Sequence, residues 1–62
     1  MNKILLIINK PRHGIFHEHP YIPWVGERFT IFWDGEYREL IVTDVRKDED
    51  APNIAKCFID FI

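Results

Sequence analysis

Three histidines and a carboxylate, His13, His17, Glu18 and His19, fall within seven residues of one another. Imidazole and carboxylate together are good ligands for zinc, nickel or copper. In an extended segment His17 and His19 project to one side, and His13 reaches back through Gly14. The spacing matches no established metal motif, so exposed polar loop residues are the plainer reading and no metal is assigned. His13, His17 and His19 stand only as minor metal candidates.

Nucleophilic chemistry has little to work with. The chain contains no serine. Thr30 and Thr43 lie in segments that read as strands, where threonine is at home. Cys57 is the only cysteine, set among Ala55, Phe58 and Ile59, and reads as core. Reactive cysteines need exposed, electropositive surroundings. A substrate-sized pocket of roughly 300 Å³ would consume much of so small a core. The expectation is a protein that is not an enzyme, has no catalytic residue and takes no cofactor.

The aromatics are the stronger lead. Phe16, Tyr21, Trp24, Phe29, Phe32, Trp33, Tyr37, Phe58 and Phe61 make nine rings in 62 residues. Mini-domains without staples need large side chains to fill a core, yet Tyr and Trp also anchor interfaces. The sequence places Trp24, Phe32 and Phe58 at the surface. A contact face of Tyr21, Trp24, Phe32 and Trp33, rimmed by Arg12, Arg28 and Arg38, suits a protein partner or a second copy. The alternative is a nucleic-acid surface, with these rings stacking on bases beside Lys10, Arg12, Arg28 and Arg38.

Composition weighs against that alternative. Eight Lys and Arg are outnumbered by ten Asp and Glu, giving a net charge of −2, whereas phosphate binding needs a basic stripe. A lone cysteine rules out an internal disulfide and a zinc site built of cysteines. The apolar run Ile4–Ile8 is too short for a secretory signal or a membrane span. A cytoplasmic protein forming one small domain over residues 1–62 is expected, with no membrane partner.

These side chains need elements to position them. Residues 3–9 read as a strand, rich in β-branched side chains and without alternation, hence covered on both faces. Residues 10–26 contain three prolines and two glycines and read mostly as loop, with Tyr21–Val25 extended along a sheet edge. Arg28–Trp33 alternates, Asp34-Gly35 is a preferred two-residue turn, and Glu36–Val45 returns as its partner. The pattern slips between Leu40 and Val45, which predicts a bulge or bend. The acidic stretch after Lys47 reads as a solvated connection. Residues 54–62 fit a strand or a helix, and the β-branched and aromatic content favours the strand. The fold class is all-β, a small antiparallel meander or SH3-like barrel of four to five strands.

The run Ile22-Pro-Trp-Val-Gly-Glu-Arg-Phe-Thr-Ile31, with Tyr37 and Val42-Thr-Asp-Val45, resembles a pattern in short uncharacterised bacterial and phage-borne β-barrel proteins. That pattern is Pro-x-Val-Gly-Asp/Glu, a strand, a Gly turn, Tyr, then Val-Thr-Asp-Val. It spans residues 22–45, leaves out the histidines and carries over no functional residue. The resemblance implies a barrel, and a phage or mobile-element accessory protein or inhibitor.

Overall fold

Alternation and turn chemistry organise this chain, and a computed structural model shows how; it describes residues 2–9, 12–47, 49–51 and 53–62. Five strands form one sheet: β1 (Asn2–Asn9), β2 (Arg12–His19), β3 (Arg28–Trp33), β4 (Glu36–Lys47) and β5 (Ala55–Phe61). Their order is β2-β1-β5-β4-β3, curled into a half-barrel with no helix among the described residues. Among the described residues no helix is long and apolar enough to cross a membrane.

The hairpin β3–β4 follows its turn. Asp34 has φ 53° and Gly35 φ 83°, the two positive values that a type I′ turn requires. The register sets Phe32 against Tyr37 and Phe29 against Leu40. The expected irregularity in β4 is a register shift between Val42 and Asp44. Thr43 sits at the shift, and its hydroxyl donates to the carbonyl of Phe58 at 3.1 Å. Residues 55–61 are strand, paired antiparallel with β4.

Two expectations are corrected. Residues 12–19 form a strand and not a loop, in register with β1 from Asn2↔His19 to Asn9↔Arg12. Pro11 and Pro20 bracket this segment in the sequence without interrupting it, and pairing with the strongly β-prone Ile4–Ile8 overrides the weak preferences of His, Gly and Glu. The sheet is also mixed, not a pure antiparallel meander: β1 lies parallel to β5, Ile4 opposite Ala55 and Ile8 opposite Ile59. That pairing makes β1 an interior strand.

Residues 21–25 add no strand to the sheet. They lead instead into a turn in which the Glu27 N–H donates to the Trp24 carbonyl at 3.1 Å. Gly26 has φ 92° there, the positive value that the third residue of a type II turn needs. The Gly26 N–H donates to Val42 at 2.8 Å, and Val42 N–H donates to Glu27 at 2.9 Å. The turn is thereby fastened to the start of the β3–β4 ladder.

The inner face carries the core. Ile4, Leu6, Ile8, Ile31, Leu40, Val42, Cys57 and Ile59 are buried together, and Ile15, Phe29, Trp33, Val45, Ala55 and Phe61 pack against them. Burying a Leu or Ile side chain contributes about 1.5–3 kcal/mol, so this layer supplies most of the driving force. On the opposite face Ile7 is also buried, which is the coverage of both faces that the unbroken apolar run of β1 demands.

Candidate interaction surface

The half-barrel leaves two edge strands, β2 and β3, facing each other. No Cα of β2 comes within 8 Å of a Cα of β3 among the described residues. Paired strands lie about 4.8 Å apart, so the two backbones do not bond. Their inner rows meet through rings instead. His13 lies 6.0 Å from Trp33 between centroids, His17 stacks 5.9 Å from Phe29, and His19 lies 4.5 Å from Phe29.

All three histidines therefore share the inner side of β2, and they serve this seam. His13 is exposed, His17 half-buried and His19 buried. Burial, then the neighbouring His19, hold the His17 imidazole below its ordinary 6.5, with Glu18 pulling the other way. His19 Nε2 is buried with no hydrogen-bond partner among the described residues. No group of three or more His, Cys, Asp or Glu among the described residues could hold a metal ion.

Beside His19, the connection into β3 builds an aromatic corner on a buried acid. Glu27 is buried, accepts the Tyr21 hydroxyl on Oε2 and accepts the Trp24 N–H on Oε1 at 3.4 Å. The Tyr21 phenol is raised above 10, first because its proton is donated to Glu27. Tyr21 stacks on Trp24 at 5.5 Å and 18°, and meets His19 edge-on at 4.7 Å. Trp24 stays 60% exposed.

The residues expected to form one contact face are divided among three places. Tyr21 and Trp24 occupy this corner. Phe32 and Arg28 project from the outer face of β3, with Thr30 between them, all three exposed. Trp33 and Arg38 lie on the inner side of the hairpin end. There Trp33 stacks on Phe61 at 5.3 Å, and Arg38 lies 4.2 Å over the same ring and 3.7 Å from Glu36. Arg28 and Arg38 thus point to opposite faces. Arg12 is exposed on β2, and Lys10 lies outside the described residues.

Reading the sequence missed three participants. Tyr37 is 78% exposed and Phe16 59%. Tyr37 meets Phe32 edge-on at 5.0 Å, a pairing that the two-residue turn already dictates. Glu27 carried no signal beyond being the one acid in Pro-Trp-Val-Gly-Glu. Phe58, expected at the surface, is half-buried, with Arg46 5.5 Å over its ring.

The nucleophile candidates have structural positions. Cys57 is fully buried, and burial pushes its thiol up to about 11. An open groove of about 290 Å³ has an apolar floor of Ile22, Val45, Ile54 and Ala55. No His, Cys or carboxylate lines it among the described residues, so no acid–base pair is assembled there.

What the geometry defines is a five-stranded mixed half-barrel with two unpaired edges and an aromatic fringe. Compared with family models, curated proteins and solved structures, the chain matches none of them.

Proposed function

We propose that this chain is a protein-binding module that takes an extended segment of a partner onto the edge of β3. The observation that carries the reading is the character of that edge. Arg28-Phe-Thr-Ile-Phe-Trp33 ends the sheet and pairs with β4 without a register shift. Natural edges are blunted by Pro, Lys, bulges or inward charges. This one carries a single outward charge, Arg28 at its start, and no Pro, Lys, bulge or inward charge.

An unpaired strand edge supplies backbone hydrogen bonds to an added strand, and side chains alongside supply selectivity. The Tyr21–Trp24 stack stands at the entry to β3, and Phe32 with Tyr37 at its exit. Such exposed rings are the usual anchors of a protein contact.

The test is selection from a displayed library of extended ten-residue peptides. Selected peptides should slow amide exchange in residues 28–33 and lose about tenfold or more in affinity (~1.4 kcal/mol) against Trp24→Ala or Phe32→Ala. A library that yields no binder, or binders that leave β3 exchange unchanged, overturns the reading.

A further inference from the structure

We infer that β3 pairs with β3 of a second copy of this chain, antiparallel, about a two-fold axis through Thr30. This rests on the strand-addition reading and names the strand that is added.

The argument is self-complementarity. A symmetric antiparallel pair keeps outer residues opposite outer residues only when the axis falls on a residue, because side chains alternate with period two. With the axis on Thr30, the outer row Arg28-Thr30-Phe32 meets its own reverse. Each Arg28 then stands opposite the other copy's Phe32, and the two threonines face each other.

All of these side chains are exposed in the single chain. Arginine on an aromatic face and threonine opposite threonine are both favourable cross-strand pairs. The inner row matches as well, Phe29 opposite Ile31 in both directions. An axis on Phe29 would leave Phe32 unpaired, and one on Ile31 would carry Arg28 past the end of the partner strand. Only Thr30 puts both cations beside both rings.

No strand of the chain's own sheet hydrogen-bonds to this edge among the described residues: β2 reaches β3 only through inner-row rings, its Cα atoms stay beyond 8 Å, and the β3 backbone bonds to β4. Association also suits a small five-stranded sheet whose cysteine is free, since small domains without disulfides commonly draw stability from oligomerisation. The resulting contact is isologous, the commonest form of soluble dimer.

Position 30 offers a direct test. Thr30 faces Glu39 across the β3–β4 ladder, so Thr30→Lys gains an opposite charge within its own chain and keeps the fold. Between copies it sets two cations face to face. By sedimentation from micromolar to millimolar concentration, the wild-type chain should dimerise, and Thr30→Lys should weaken the dimer about tenfold or more. Mixing Thr30→Lys with Thr30→Glu at equal concentration should restore association, with circular dichroism confirming the fold of each.

A wild-type chain that stays monomeric at millimolar concentration overturns the inference, as does a Thr30→Lys variant that dimerises like wild type or a mixture that fails to recover. If displayed peptides still protect β3 in a chain that never dimerises, strand addition stands and self-pairing falls. A β3 that takes neither peptide nor second copy ends both.

Discussion

The His17 ring lies stacked on Phe29, 5.9 Å between centroids and 15° between planes, so β2 and β3 touch through side chains where their backbones stay apart. Burial at this contact disfavours the charged imidazole. Burial and His19 lower the His17 pKa, opposed by Glu18. On β1, Ile4 stands opposite His17 and is apolar, while Lys3 projects to the outer face beside Phe16. The nearby Glu27 carboxylate is engaged by Tyr21 and Trp24.

Stability should therefore fall on acidification. The unfolded chain, whose His17 titrates near 6.5, binds the proton that the folded chain resists, so stability is lost as pH drops through about 6.5 and levels off below the folded value. The urea midpoint should decline between about pH 7.5 and 5.5, and His17→Phe should flatten that decline. A midpoint equally steep in the variant would assign the pH dependence elsewhere.

Glu27 holds the aromatic corner, so its removal should release Tyr21 and Trp24 together. Glu27→Ala leaves the Trp24 N–H without its side-chain acceptor and is expected to cost about 1–3 kcal/mol in urea unfolding. Glu27→Gln keeps an acceptor but not the charge. In a Tyr37→Phe background, where Tyr21 is the only tyrosine, tyrosinate absorbance should show the phenol titrating closer to 10 in Glu27→Gln than with Glu27 present. An unmoved titration would mean that the carboxylate does not hold the phenol proton.

Two glycines should respond differently to alanine. Gly35 has φ 83°, a region that costs an L-residue roughly 1–2 kcal/mol, and Gly35→Ala should lower stability by about that amount. At Gly14 an added Cβ would lie 3.2 Å from Leu5 Cδ1, the movable tip of a half-buried side chain. Gly14→Ala should stay within about 0.5 kcal/mol of wild type, as surface substitutions usually do. Equal losses in thermal melts would show that Leu5 cannot give way.

Local signals account for most of what could be read in advance. The β1 run, the Asp34-Gly35 turn, the slip after Leu40 and the composition of residues 54–62 each announce their element within a few residues. β2 was hidden because its stability comes from Ile4–Ile8 across the ladder, and not from His13, Gly14 or Glu18 themselves. The parallel β1–β5 pair leaves no local mark at all. Among candidate contact residues, Phe32 and Arg28 were legible from alternation. The same alternation sets Trp33 on the other face with Phe29 and Ile31, but the ring that Trp33 and Arg38 share was not legible, because Phe61 reaches them from β5.

The parallel pairing also bears on how the molecule assembles. Both hairpins, β1–β2 and β3–β4, close short loops and can form early, whereas Ile4 meets Ala55 only after about fifty intervening residues are drawn together. Distant contacts are the slow ones, since loop-closure entropy is lost before they return any energy. During synthesis the first hairpin waits with Leu6 and Ile8 uncovered until Ala55–Phe61 has emerged. The central pairing thus carries the largest closure cost of any pairing in the sheet.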